Sequence, residues 1–165
     1  PTRGLIGYLS ELMTDTRGTA IFNRTFLAYE PYKGDIAQRH TGALISNGAG
    51  NAVAFAMFHL EDRGPMMIHP GDKVYQGMIV GEHARGNDLE VNVLKGKQLT
   101  NMRSSGKDEA VKITTPLNMT LEKSLAYITD EELVEVTPQN IRLRKRVLDP
   151  IERKRQMRAA QAAAV

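Results

Sequence analysis

From Gly42 onward, short apolar runs are broken repeatedly by glycine and proline, and this punctuation restricts the chain to short elements. The runs are 42–46, 52–60, 65–69, 73–75 and 78–83, with breaks at Asn47-Gly-Ala-Gly-Asn51, Pro70-Gly71, Gly77 and Gly81. The break at 47–51 has the composition of a hairpin turn. Read with period two, 52–60 puts Val53, Phe55, Met57 and His59 on one face and Ala52, Ala54, Ala56 and Phe58 on the other. Both faces are largely apolar, which predicts a central strand. Many short strands with glycine at the corners predict an α+β, predominantly β fold, built as a small barrel or sandwich.

The first 32 residues follow a different pattern. Leu5, Ile6, Leu9, Leu12 and Met13 form one apolar stripe at helical spacing over residues 4–15, weakened by Gly7 and stopped by Gly18. Residues 19–29, rich in Thr, Phe and Ile, read as a strand that ends before Pro31 and Gly34. One helix and one strand cannot cover that stripe, so the unit reads as the tail of a domain. The chain also opens on Pro1 rather than Met, as expected for a piece of something longer. At the other end, residues 111–114 predict a strand and Thr120 caps a short helix to about residue 128, with Leu121, Leu125 and Ile128 inward. Strands are expected at 133–136 and 141–147. Asp149-Pro150-Ile151-Glu152 then starts a final helix with an acid cap and proline at its first position.

Composition narrows the chemistry. Of the residues, 41% are hydrophobic, enough for one core, with four Phe, five Tyr and no Trp. There is no Cys, which removes disulfides and thiolate metal sites and fits a reducing cytosol. No apolar run approaches the roughly 18 residues of a membrane helix, and there is no secretory signal. The net charge of +3 conceals an asymmetry: residues 139–165 carry a local +6 and residues 120–138 a local −4. Charge separated in this way predicts a basic contact surface.

Two segments could form it. The stretch 95–107 holds Lys95, Lys97, Arg103 and Lys107, no acid, and only Leu99 and Met102 as sizeable apolar residues. It cannot bury enough hydrocarbon to offset its ordering entropy, yet strand-like sequence flanks it. Its cations, with Arg85 alongside, suit RNA phosphates, and Gln98, Asn101, Ser104 and Ser105 suit sugars or bases. A merely solvated insertion is the alternative. In 141–147, alternation turns Ile141, Leu143 and Val147 inward, with Lys145 a misfit. Arg142, Arg144 and Arg146 then project from the other face, roughly 6.6–6.8 Å apart. Either a polyanion meets them or Glu132 and Glu135 neutralise them. Arg153, Lys154, Arg155 and Arg158 extend the same sign.

Other motifs carry less. The loop 47–51 lacks the spacing of a P-loop or dinucleotide fingerprint and lies between strands, so it reads as a turn. Residues 71–77 are similar to a turn of biotinyl and lipoyl carriers, but no second hairpin presenting a lysine follows, and a barrel corner fits better. His40, His59, His69 and His83 form no ligand-spaced pair, and no activated nucleophile or paired carboxylate stands out. The chain itself reads as non-enzymatic, with neither metal nor small-molecule substrate.

Several segments together resemble one family. Arg3-Gly-Leu-Ile-Gly7, Thr14-Asp-Thr-Arg-Gly18, Gly42-Ala-Leu-Ile-Ser-Asn-Gly48, Ala52-Val-Ala-Phe-Ala56 and Gly86-Asn-Asp-Leu89 are similar to the C-terminal part of the BipA/TypA family. So are Leu99-Thr-Asn-Met-Arg103, Asp108-Glu-Ala-Val111 and Glu132-Leu-Val-Glu-Val-Thr-Pro138. These are ribosome-binding translational GTPases related to elongation factor G and LepA, and the resemblance runs over essentially the whole chain. It implies that residues 1–32 are the last helix and strand of a ferredoxin-like domain V. Residues 33–165 would be the family's own C-terminal domain, with its basic loop at about 92–110 reaching the peptidyl transferase region and the acceptor end of A-site tRNA. Family members often carry two adjacent lysines before the Leu-Thr-Asn-Met segment, where this chain has Lys97-Gln98.

No Gly-x-x-x-x-Gly-Lys-Ser/Thr motif occurs in the chain. The resemblance therefore assigns GTP and magnesium to another part of the parent protein and leaves this part without a cofactor. Its implied partners are large-subunit rRNA and A-site tRNA in the cytoplasm, with no membrane and no small molecule. A protein–protein adaptor using Arg142, Arg144 and Arg146 against an acidic surface is the rival reading.

Overall fold

A computed structural model describes residues 1–5, 7–34, 39–97 and 112–163. Its centre is a five-stranded sheet in the order β5-β1-β4-β7-β6. The strands are β1 (Gly42–Ser46), β4 (Met78–His83), β5 (Leu89–Val91), β6 (Glu132–Val136) and β7 (Ile141–Lys145). β1 pairs antiparallel with β4 and parallel with the three-residue edge strand β5, while β4, β7 and β6 continue antiparallel. β2 (Gly50–Asn51) and β3 (Lys73–Val74) form a separate two-stranded ribbon. The fold is therefore α+β, and the sheet is open rather than closed into a barrel: β5 and β6 remain as edges.

Two apolar layers sandwich the sheet. On one face Leu44, Val80, Met78, Val91 and Val93 pack with Met57, Met66, Ile68, Ala52 and Val74. On the other, Ala43, Ile45, Ile79 and Leu143 pack with Met119, Tyr127, Ile128 and Val134. Alternation along β1 sends Leu44 to one cluster and Ala43 and Ile45 to the other, so all five of its residues are buried. Gly42 at its start lies so close to the β4–β5 turn that a Cβ there would stand 2.1 Å from the Asn87 carbonyl oxygen.

Several sequence expectations need correction. Residues 52–60 are not a central strand: α2 spans Ala54–Leu60 and continues into a 3-10 turn, Glu61–Arg63. Ala, Met, Leu and Phe sit easily in a helix, and a short run apolar on every side satisfies both periods. With α2 helical, 47–51 is not the turn of a hairpin between β1 and a second strand, because β2 pairs with β3. Residues 65–69 give only the Met66–Gly81 bridge. Residues 19–29 pair with no described strand, and Ile21, Phe26, Leu27 and Tyr29 are exposed. A run of strand-forming residues becomes sheet only where it meets an edge, and this run pairs with neither β5 nor β6. Residues 112–114 likewise form no strand.

The capped helices form, although the first begins at Tyr8 rather than residue 4, after a 3-10 turn (Thr2–Leu5) and Gly7 at φ 83°. In α1 (Tyr8–Asp15), Gly18 closes the C-terminus at φ 80° by donating to the Met13 carbonyl at 2.8 Å. In α3 (Leu121–Tyr127), Thr120 Oγ1 accepts from the Lys123 amide at 3.3 Å. Of its expected inward residues only Ile128 packs against the core. Ser124 is sealed and Tyr127 meets the core, whereas Leu121 and Leu125 are exposed. The ring and hydroxyl of Tyr127 bridge Arg39 and β1, and that bridge turns the helix. α4 (Pro150–Ala163) opens with Asp149 Oδ1 accepting from the Ile151 amide at 3.0 Å.

Candidate nucleic-acid interface

The cationic stretch leaves and rejoins the body beside α2. On the outgoing side the Val53 amide, just before α2, donates to the Val93 carbonyl at 2.8 Å, and Leu94 packs against the core. On the returning side Ile113 packs against the same core, and the amide and hydroxyl of Thr114 both donate to Glu61 Oε1 at 2.6 Å, just after α2. Both stems are thus fixed to the two ends of one helix. Lys95, Lys97 and Lys112 are exposed immediately beyond them. Gln98, Asn101, Arg103, Ser104, Ser105 and Lys107 lie outside the described residues.

Arg85 is exposed in the β4–β5 turn, where its carbonyl accepts from the Gly42 amide at 2.6 Å. His83 Nδ1 meets the Asn87 carbonyl at 2.5 Å and closes the same turn. Arg85 thus sits on a rigid corner, at the end of the sheet where β1 begins and β4 ends.

The three arginines of 141–147 do not form one uniform row. β7 ends at Lys145, so Arg146 falls past the pleat. Arg142 lies opposite Glu135 in register and Arg144 opposite Leu133. Glu135 Oε1 stands 2.9 Å from Arg144 Nε, and Glu135 Oε2 accepts from the Tyr75 hydroxyl at 2.5 Å. Burial and the Glu135 bond raise the Tyr75 phenol well above its ordinary range. Glu135 therefore neutralises Arg144, in line with the internal-neutralisation alternative for this residue, while Arg142 and Arg146 face no carboxylate within ion-pair distance among the described residues.

Lys145, the misfit of the alternation, is explained by a buried ion cluster. Its side chain is 4% exposed, and Nζ lies 2.8 Å from Glu132 Oε1 and 2.5 Å from Asp88 Oδ2. Glu132, with a side-chain exposure of 0%, also receives Arg39 Nη2 at 2.9 Å, Arg39 Nη1 at 3.1 Å and the Thr129 amide at 3.1 Å. The Arg39 guanidinium stacks 4.2 Å from the Tyr127 ring centroid. Burial alone would lower the Arg39 pKa, but its bonds to Glu132 and the charges around it leave it raised. Charges removed from water this completely need partners on every side. Sequence reading missed Arg39 and Asp88. The only signal available was the misfit of Lys145, which called for a carboxylate without saying where it came from.

A cleft of about 860 Å³ opens between this cluster and α4, lined by Lys145, Arg146, Arg153 and Lys154 facing Asp88 and Glu90 among others. Arg153 is spent internally: it donates to the Val147 and Leu148 carbonyls at 2.6 and 2.8 Å and pairs with Glu90, fixing α4 to β5. Lys154, Arg155 and Arg158 remain exposed along α4. The arrangement suits phosphate contacts along an edge more than a closed small-molecule site, because the deepest charges already neutralise one another. Among the described residues, no three His, Asp or Glu side chains cluster to hold a metal ion, and no helix is long and apolar enough to cross a membrane.

Residues 41–150 match the TypA/BipA C-terminal domain, and residues 1–40 match the elongation factor G C-terminus. The chain belongs to the TypA/BipA family. It is 55% identical over 160 residues to the large ribosomal subunit assembly factor BipA of Escherichia coli strain K12, covering 96% of this chain and 26% of that protein. The Haemophilus influenzae protein of the same name is 51% identical over 156 residues, covering 94% and 25%. That of Buchnera aphidicola is 54% identical over 155 residues, covering 93% and 26%. The chain thus spans about a quarter of the length of the curated relatives it matches, and none of its 165 residues forms a P-loop motif.

Proposed function

We propose that this part of a TypA/BipA protein docks its parent on the large ribosomal subunit by binding RNA, in the cytoplasm. The contacts are large-subunit rRNA and the acceptor end of A-site tRNA, reached by the basic loop at 92–110 with Lys95, Lys97, Gln98, Asn101, Arg103, Ser104 and Lys107. Arg85, Arg142, Arg144 and Arg146 are supporting contacts. GTP and magnesium belong to another part of the parent. In the division of the chain, residues 1–32 close a domain V and residues 33–165 form the family's own C-terminal domain.

One observation carries the reading: a stretch with five Lys/Arg against Asp108 and Glu109 is held at both ends by bonds to a packed body, at Val53–Val93 and Glu61–Thr114. The name of the relatives, large ribosomal subunit assembly factor, points the same way. Each engaged cation neutralises a phosphate and releases a counterion. Four engaged charges give a slope of log affinity against log salt of roughly −3 to −4. Binding of the chain to purified large subunits across a salt series tests this. Replacing Lys95 and Lys97 with Ala flattens the slope by about 1.5–2. Arg144→Ala, whose charge Glu135 already offsets, moves it far less. A flat salt response, or a slope unchanged by loss of both lysines, refutes the proposal.

A further inference from the structure

We propose that the outer face of α2 is a stacking platform for unpaired nucleotides of the RNA that the basic loop grips. This rests on the RNA-binding reading above and adds to it the part of the ligand that phosphate contacts leave unread.

α2 has two distinct sides. Ala56, Met57 and Leu60 turn to the core, and Met57 is fully buried. Phe55, Phe58 and His59 are spaced three and four residues apart and share the opposite side. Their rings touch edge to face: Phe55 and His59 centroids are 4.6 Å apart at 80°, and Phe58 and His59 are 5.6 Å apart at 70°. Mutual contact holds the rings together as one group, and Phe58 stays 46% exposed. No described element covers it.

Position supplies the occupant. α2 lies between the two anchor points of the cationic stretch, Val53 at its start and Glu61 at its end. Lys95 follows one stem by two residues and Lys112 precedes the other by two, so each ammonium emerges within about 7 Å of chain from an end of α2. At the returning stem the Glu61 carboxylate is engaged by the Thr114 amide and hydroxyl. An exposed aromatic face bracketed by cations matches a ligand with flat π-surfaces strung on a polyanion. Single-stranded RNA has that chemistry, whereas a duplex hides its bases within the stack. A protein segment would need acidic groups flanking an apolar anchor, and retained RNA binding without quenching at the platform is the outcome that favours it.

The experiment uses the 165-residue chain, single-stranded hexaadenylate and a blunt RNA duplex. The chain contains no Trp, so Phe58→Trp makes a single reporter at the proposed platform. The expected results are quenching of that fluorescence by hexaadenylate but not by duplex, with binding retained. Phe58→Ala with His59→Ala should lose about five- to 150-fold in affinity for the single strand per base unstacked, with the salt slope and duplex binding unchanged. Hexaadenylate binding with the full salt slope, no quenching and no loss in the alanine variant overturns the platform while leaving RNA binding by the loop in place. Equal weakening toward single strand and duplex also overturns it. Failure of the unmodified chain to bind hexaadenylate or duplex at all sinks both readings.

Discussion

Replacing Glu132 with Gln attacks the best-defined electrostatic feature of the molecule. The substitution keeps volume and shape, removes one charge and turns one acceptor oxygen into an NH2 donor. Glu132 Oε1 receives Arg39 Nη2 and Lys145 Nζ, while Oε2 receives Arg39 Nη1 and the Thr129 amide. Whichever way the new amide turns, its NH2 faces donors on one side. The three charge-assisted bonds, at about 1.5–3 kcal/mol each, bound the loss from above. Asp88 still holds Lys145 at 2.5 Å, which brings the expected cost to about 3–5 kcal/mol, the range for breaking a buried pair. For a chain of this length that lowers Tm by on the order of 10 °C. Urea unfolding followed by far-UV circular dichroism measures it in a protein without Trp. Adding Lys145→Met to Glu132→Gln should cost less than the sum of the single changes, with a coupling of about 0.5–3 kcal/mol. A loss below about 1 kcal/mol, or simple additivity, would mean that the cluster is hydrated, and the reasoning fails.

Two other stability changes can be worked out from the structure. Gly42→Ala places a methyl group 2.1 Å from the Asn87 carbonyl oxygen and should cost at least about 2 kcal/mol, whereas Gly96→Ala meets nothing within 4 Å and should be neutral. Equal unfolding midpoints for the two variants would contradict this. Tyr75 has its pKa raised in the folded state, so the native phenol holds its proton where the unfolded one releases it. Its contribution is therefore present below about pH 10 and is lost as pH rises beyond that. Tyr75→Phe should flatten the alkaline fall in stability, and parallel curves for the two proteins would refute the assignment.

Much of the sheet is legible in the sequence. β1, β4, β6 and β7 coincide with runs bounded by turn residues, and α3 and α4 begin where Thr120 and Asp149 place oxygens to accept amide hydrogens. What stays hidden has physical causes. α2 carries apolar residues on every side because its inner face meets the core and its outer face carries an aromatic group, so neither period stands out. β5 is only three residues long, and its parallel pairing with β1 depends on a partner 45 positions earlier, which no local pattern announces. Arg39 reaches Glu132 across 93 positions, so the solution to the Lys145 misfit cannot be seen from the strand that contains it. Of the basic residues singled out above, the sequence offers charge, while the structure adds partners for several: carboxylates for Arg144 and Arg153, and two of them for Lys145.

Tying both stems to the ends of α2 turns the cationic segment into a tether of known length. A chain that leaves at Val93 and returns at Ile113 must double back. Its farthest point therefore cannot lie more than about 40 Å from where it starts, whatever path it takes. Any phosphate touched at the tip and any base resting on the helix must then belong to groups separated by no more than that span, a ruler against which crosslinks on a docked particle can be checked.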